Sequence, residues 1–525
     1  MTGPQALAIR SVGEWAFSTT KNYYSAFADV AVDGVFIAPS GKVSTMPAFF
    51  DGSGTWKLRF NPGEVGKWTF TLQSRPHNPD FDVSGSFTAT ASETRGKLKA
   101  TPGKAWGYEY ENGAPFFAFG DTTYDLFGMA YCGGDVAGFI ARRAEQGFNL
   151  LRTRLHTSHF HPPSGDFAWQ TKDMWPWGGS RSAPRFDLFN LDWFKSVDST
   201  VAMIDKAGIG LEMIMEGWGF EFPFNHRAWF TPEWEALWMR YLIARYDAYN
   251  STYFWTPLNE YEYYPNGDWN WKPAADRWQI RIGHFIKETG PHRHIIACHN
   301  GPRIPPFADR FRADPEIVES IMYQEWGTRG KDDGWLAAGI EDVIGKAFEG
   351  WTGSRIFAEW GYERNPDFEN KLPHHEFCDR NHTRRSAWRG VTQGMGIING
   401  QENSWGPWML LEEDLPGTAD LVVLKDFLLG DVPFHTLEPA PDLVLGTFAF
   451  GEKPLALQGR SRKVAVVYYP AGGRANIAFA ARSARWFDPR SSEYQPAEGV
   501  GDIYTAPFGM DENQRPLDYV LVLNA

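Results

Sequence analysis

The sequence is poor in cysteine, short of cationic charge relative to acid, and without a long apolar run. Cys132, Cys298 and Cys378 are the three cysteines of 525 residues. So few, so widely scattered, they exclude a disulfide framework or a cysteine-based zinc site. Lys and Arg number 51 against 64 Asp and Glu, a formal net charge of −13. That balance argues against binding nucleic acid or anionic membrane, both of which need a basic face. No stretch of about 18 apolar residues occurs, so no membrane span is expected. The opening MTGPQALAIRSVGEWAFSTT lacks the basic start and apolar run of a secretory signal. The expected compartment is the cytoplasm, or the exterior where a leader has been removed. Internal repeats and low-complexity linkers are also missing.

What is abundant is aromatic: 24 Trp, 20 Tyr and 39 Phe, 16% of the chain. Flat apolar rings serve large cores or clefts that stack sugars, and only their placement decides between the two.

Residues 1–105 alternate like short strands in AFADVAVDGVFIAP, TWKLRFNPGEVGKWTFTLQS and GSFTATAS, punctuated by turn dipeptides. They predict a β-sandwich. Across 106–430, apolar runs alternate with amphipathic stretches, the pattern of a parallel sheet with crossover helices. Eight runs stand out, at 115–122, 149–156, 210–217, 252–260, 294–300, 320–326, 355–361 and 396–403. Helical stretches at 135–147, 194–208 and 232–249 lie between them. Eight strand–helix units predict a (β/α)8 TIM barrel. The rival, an open doubly wound sheet, lacks its marker, since no GxGxxG or GxxxxGK[ST] follows any run. Residues 431–525 return to strands, LVLGTFAFGEK and PLDYVLVL among them, and predict a second sandwich. The fold class is therefore α/β, a TIM barrel flanked by N-terminal and C-terminal β-sandwich domains.

Barrel chemistry sits at the carboxyl ends of the strands. Those ends carry Asp121, then Arg152, Arg154 and His156, then Glu216, then Asn259 and Glu260. Continuing round come His299, Tyr323, Glu359 with Trp360, and Glu402 followed by Trp405. Such a ring is poor material for stability and good material for holding a polyhydroxylated substrate. Glu260 ends the fourth run and Glu359 the seventh, on opposite sides of a closed ring. Glycoside hydrolysis needs a carboxyl pair, one to protonate the leaving oxygen and one to attack or to activate water. Glu216 and Glu402 are the reserve carboxyls.

The series of Arg on strand 2, Asn–Glu on strand 4, Tyr on strand 6, Glu on strand 7 and Trp after strand 8 resembles the clan A retaining glycoside hydrolases. NGAPFFAFGDTTYDLF (112–127) is similar to the opening of the apiosidase-like barrel family. Residues 35–72 resemble the immunoglobulin-like domain often joined to such barrels, and ARWFDPRSSEY with DYVLVL resembles a candidate collagen-binding-type C-terminal domain. The resemblance implies Glu260 as general acid/base and Glu359 as nucleophile. It implies Asn259 on the sugar 2-hydroxyl, Tyr323 touching the nucleophile, and Trp405 as platform beneath the sugar. Arg152 or Arg154 would keep the nucleophile ionised, strand alternation admitting one of them, or both about a bulge. Thr122–Thr123–Tyr124 departs from the family, where many members carry a Trp.

His156, His159 and His161 lie together and offer imidazole to a metal, sugar hydrogen bonds or loop packing. HHEFCDRNH (374–382), beside DRNHTRRSAW, reads as a solvated helix with a satisfied histidine. Tryptophan-rich loops at 174–179, 216–224, 268–273 and 402–408 follow strands 2, 3, 4 and 8, with Trp218 and Trp405 placed best to touch substrate. The expected activity is retaining, exo-acting hydrolysis of a plant or microbial oligo- or polysaccharide, needing no cofactor or metal. A non-catalytic carbohydrate-binding protein and a metal-dependent hydrolase or lyase using the three histidines are the alternatives. The sandwiches would bind glycans, cover the barrel or form a homo-oligomer contact.

Overall fold

The computed structural model describes residues 1–156, 169–217, 223, 226–268, 270–301, 306–325, 340–368, 378–405, 408–446, 452–512 and 514–525. Eight parallel strands close into a barrel. They are β1 (Phe119–Thr122), β2 (Leu150–Arg154), β3 (Gly210–Glu216), β4 (Thr252–Leu258), β5 (Ile295–His299), β6 (Ser320–Gln324), β7 (Ser354–Glu359) and β8 (Gly396–Asn399). Seven fall inside the runs read from sequence, and β7 begins one residue before its run. The runs are legible because each strand is covered on both faces, by the packed interior and by helices, and so stays apolar along its length. Closure is made where Asp121 of β1 pairs with Asn399 of β8. Gly210 opens β3 where a Cβ would meet the Tyr253 ring at 2.0 Å, so only glycine lets the strand pass.

Capping side chains set where the helices begin. Asp135 accepts from the Gly138 N–H ahead of α1 (Val136–Glu145), and Asn190 from the Asp192 and Trp193 N–H groups ahead of α2 (Leu191–Lys206). α3 (Pro232–Tyr246) starts on proline, whose missing N–H costs nothing in a first turn.

The amino end of the barrel is plugged. An antiparallel pair, Leu98–Ala100 with Tyr108–Tyr110, packs against interior residues Leu150, Phe254, Ala297, Met322 and Ile398. The Tyr108 hydroxyl bonds Ser320 Oγ at 2.6 Å. Access is therefore from the carboxyl end.

The N-terminal sandwich pairs a five-stranded with a three-stranded sheet around Trp15, Phe36, Trp56 and Phe60. It docks on the helical layer through charge. Arg59 Nη2 and Arg245 Nη2 of α3 both reach Asp198 of α2, at 2.7 and 2.9 Å, and Arg245 also pairs with Asp51 at 3.2 Å.

The C-terminal sandwich, of six- and four-stranded sheets, docks on α4 (Arg380–Thr392). This helix overturns the expectation of a solvated charged face, for residues 381–392 are all buried. Arg384 reaches Asp518 and Asp420, each at 2.7 Å, and Arg389 pairs with Glu341 and Glu452. Trp388 stacks on Tyr468 with centroids 5.5 Å apart. The charges are answered by acids that lie far off in the chain, 134 residues in the case of Asp518, so local composition hides the burial. His382 is the satisfied histidine expected, its Nε2 bonding the Trp360 carbonyl at 3.1 Å. No helix among the described residues is long and apolar enough to cross a membrane.

Candidate active site

β2 supplies two guanidiniums. Arg152 and Arg154 are two positions apart and therefore share a face, so no bulge is needed and the either–or reading is corrected. Both are buried, and both stack over the Tyr124 ring, at 5.0 and 4.1 Å. Arg152 does the most work. Its Nη1 donates to Glu359 Oε2 at 3.1 Å and its Nη2 to Asn259 Oδ1 at 2.6 Å, while Nε faces Glu212 Oε2 at 3.6 Å. Because a guanidinium only donates, the Asn259 oxygen must face it, and the amide NH2 remains for a ligand.

Asn259 and Glu260 follow β4 in a left turn. Glu260 has φ 54° and ψ 65°, a left-handed conformation that costs a non-glycine residue about 1–3 kcal/mol and clusters at functional sites. The turn aims its N–H at His299 Nδ1, 3.3 Å away on β5. With Nδ1 accepting, the ring proton sits on Nε2, which faces Glu359 Oε2 at 3.5 Å. Burial, and then the charge of Arg152, hold His299 down at about 4, so it is a neutral donor.

Glu359 closes β7. Burial alone would push its carboxyl up, but the His299 hydrogen bond and the Arg152 charge outweigh it and hold the group at about 2. The Tyr124 hydroxyl adds a donor at 3.4 Å. Its other oxygen, Oε1, accepts from Gln324 Nε2 at 2.6 Å, and the same nitrogen donates to Glu260 Oε1 at 2.8 Å. One amide nitrogen thus joins the two carboxyls. The two bonded oxygens are therefore at most about 5.4 Å apart, which is compatible with the roughly 5–5.5 Å carboxyl spacing of retaining glycosidases. Asn300 fixes the Gln324 backbone, accepting from its N–H at 2.9 Å and donating to its carbonyl at 3.0 Å.

Gln324 takes the place expected for Tyr323. Along β6, Met322 turns into the barrel while Ile321 and Tyr323 turn to the helices, where Tyr323 packs among Phe307, Phe348 and Phe357. A register shift then sets Gln324 opposite Glu359. Tyr323 does not touch Glu359.

Three more expected contacts are committed elsewhere. Asp121 shares the outward parity of Phe119 and is spent on Arg143, at 2.7 Å, and on Ser404 Oγ. Trp360 is buried in the helical layer against Phe357. Glu402 accepts the Asn365 N–H at 2.8 Å, tying the loop after β7 to that after β8, and burial raises it to about 6. Glu216, fully buried at the end of β3, is pushed well above the usual range by burial and then by Glu235, with Arg227 3.6 Å away. His156 is buried at the end of β2.

Trp405 stacks on Tyr362 with centroids 4.2 Å apart, and Tyr362 meets the Tyr124 hydroxyl at 3.3 Å. The three rings wall the cleft beside Glu359. By contrast Trp175 and Trp177 pack on each other and on the core, as a loop-packing role requires. His159, His161, Trp218 and Trp269 lie outside the described residues. Among the described residues no three His, Cys, Asp or Glu side chains are grouped to hold a metal. Sequence reading missed Gln324, Tyr362 and Glu212. Glu212 lies beneath Arg152, takes a bond from Thr256 at 2.8 Å, and is pushed up by burial. Strand parity, counted from Arg152 and His299, was the signal available for Gln324.

Comparison with solved structures shows the fold to be a known one. A candidate glycoside hydrolase from Bacteroides vulgatus ATCC 8482 superposes with a TM-score of 0.72 at 14% identity, over 99% of this chain and 100% of that one. A glycoside hydrolase family 5 protein from the same organism gives 0.59 at 17% identity, over 82% of this chain and 94% of that one. No curated protein matches the sequence. Residues 11–75 match a domain of unknown function, DUF5060. Residues 107–418, spanning every barrel strand and both glutamates, match the apiosidase-like catalytic domain, and the chain belongs to that family.

Proposed function

We propose that the protein is a retaining glycoside hydrolase acting on a plant or microbial oligo- or polysaccharide by double displacement. The observation that carries this reading is the single Gln324 nitrogen bonded to both carboxyls, which holds them near one another, as direct attack on the anomeric carbon requires. Glu359, ionised down to about 2, attacks the anomeric carbon. As the carbon–oxygen bond breaks, Glu260 delivers its proton to the departing oxygen, and a glycosyl ester of Glu359 results. Gln324 donates to Oε1 of Glu260 and so orients the carboxyl that gives up this proton. Water then enters, Glu260 takes its proton, hydroxide attacks the same carbon, and Glu359 is released as carboxylate. The Asn259 amide NH2 holds the sugar 2-hydroxyl, and Trp405 with Tyr362 forms the platform under the ring.

An exo mode belongs to the same proposal. It is supported by the length of the connection between β2 and α2, residues 155–190, far beyond the roughly two to six residues usual between a barrel strand and its helix.

The test is a panel of aryl furanosides and pyranosides of both anomers. The anomer first released is read by proton NMR, and Glu260→Gln is run beside the native enzyme. Retention, with turnover lost in the variant, is expected. An inverted product sinks the double displacement, and undiminished turnover in Glu260→Gln sinks the residue assignment.

A further inference from the structure

A second cavity, of about 440 Å³, opens beside the cleft. Its walls come from three segments that all follow strand ends: Met129 to Arg142 after β1, Trp169 after β2, and Trp408 to Glu412 after β8. It lies on the flank of the barrel, between α1 and the segment after β8. Trp408 joins the two spaces, because it lines the cavity and packs on the Tyr124, Tyr362 and Trp405 cluster whose Tyr124 hydroxyl reaches Glu359.

The lining has the composition of a ligand site. Volumes of roughly 300–1,000 Å³ with apolar walls and few polar groups are usual for small-molecule pockets. Two half-buried indoles, Trp169 and Trp408, supply flat apolar faces, and the carboxylates of Asp135 and Glu412 stand exposed at the rim. The wall is braced, since Arg142 Nη2 donates to the Leu411 carbonyl and to Asp414, and Asp135 caps α1. A lipid would find no use for the carboxylates, and they outnumber the one lining guanidinium, Arg142, which is already bonded to Leu411 and Asp414. A neutral polyhydroxylated ring satisfies both, laying its C–H face on an indole and donating hydroxyls to the acids.

We propose that this cavity is a second sugar-binding subsite, seating a residue of the same glycan at a distance from the bond cleaved at Glu260 and Glu359. It rests on the glycosidase reading of the cleft, and it adds that the substrate is an oligomer gripped at two places.

The probe is an array of defined oligosaccharides with their constituent monosaccharides. It is read with the full chain carrying Glu359→Gln, alone and combined with Trp169→Ala or with the cavity-filling Leu410→Trp. Glu359→Gln is expected to hold at least one oligosaccharide above its monosaccharides. Each second substitution is expected to weaken that binding at least about tenfold, the scale of losing one buried aromatic face, and to leave monosaccharide binding unchanged. Leu410→Trp keeps the test decisive should Trp169→Ala fail to fold. Equal binding by all three proteins, or no preference for oligosaccharide over monosaccharide, overturns the proposal. Since binding is read without turnover, failure of the hydrolase reading shows separately, as native protein that cleaves no aryl glycoside.

Discussion

At the joint with the C-terminal sandwich, Arg384 sits between Asp518 and Asp420. At the barrel mouth, Arg152 also sits between two carboxyls, Glu359 and Glu212. In the first place cations abound: Arg380 also serves Asp420 at 2.7 Å, and Arg490 also serves Asp518 at 3.4 Å. Asp518 is buried, yet the neighbouring guanidiniums Arg384 and Arg385 hold it far below the usual carboxylate range. In the second place Arg152 faces both acids, and their affinities for protons split. Glu359 falls to about 2 while burial raises Glu212. Matched charge fixes a joint. Mismatched charge, with neutral donors such as His299 and Gln324 beside it, pushes two neighbouring carboxyls in opposite directions.

Substitutions at the two places should diverge. Glu359→Gln is expected to lower turnover of a competent aryl glycoside by about 10⁴-fold or more. Its melting temperature should stay close to native. A residual rate within tenfold of native breaks the contrast.

Arg384→Met strands two buried acids and should cost about 3–5 kcal/mol, read from denaturant midpoints. The folded fraction should keep native KM. Here the sign with pH is fixed: Asp518 is depressed in the folded state, so its contribution is present above the unfolded carboxylate value. It is lost as pH falls toward the folded one. The penalty of Arg384→Met should therefore shrink in acid, and a pH-independent penalty would contradict the assignment.

Gln324→Leu removes the nitrogen shared by both carboxyls. A loss of about 10²-fold in kcat, with KM little changed, is expected from a positioning group of this kind. Equal losses in kcat and in substrate binding would place Gln324 on the sugar instead.

His299→Phe takes a neutral donor from Glu359. The acid limb of kcat/KM should move upward by about one pH unit, toward the ordinary carboxylate range near 4.3. An unmoved limb would leave Arg152, with Gln324 and Tyr124, responsible. The smallest effect belongs to Lys57→Met at the edge of the N-terminal joint. Lys57 pairs with Asp51 at 2.9 Å but is partly exposed, and its loss should cost at most about 1 kcal/mol.

Much of this was legible in the sequence, and the parts that were not share a cause. Barrel strands announce themselves as apolar runs, so all eight were found, and the ends of β4 and β7 delivered Glu260 and Glu359 to one cleft. Errors arose where parity or distant partners decide. Tyr323 looked inward by resemblance, whereas Met322 and the register shift turn Gln324 in. Arg152 and Arg154 were set against each other although two-residue spacing puts them on one face. Asp121 and Trp360 sat at strand ends yet faced the helices. α4 read as solvated because its partner acids, Asp518 and Glu452 among them, lie in a domain whose docking no local window reveals.

The plug at the amino end of the barrel, Leu98–Ala100 with Tyr108–Tyr110, has a bearing on timing. With that end sealed, the carboxyl end is the way in. On the proposed mechanism the departing fragment must back out through the opening by which the attacking water arrives, so the two halves of the cycle queue rather than overlap. A glycan held at a second point beside the cleft would linger there, and product inhibition becomes a property of the architecture.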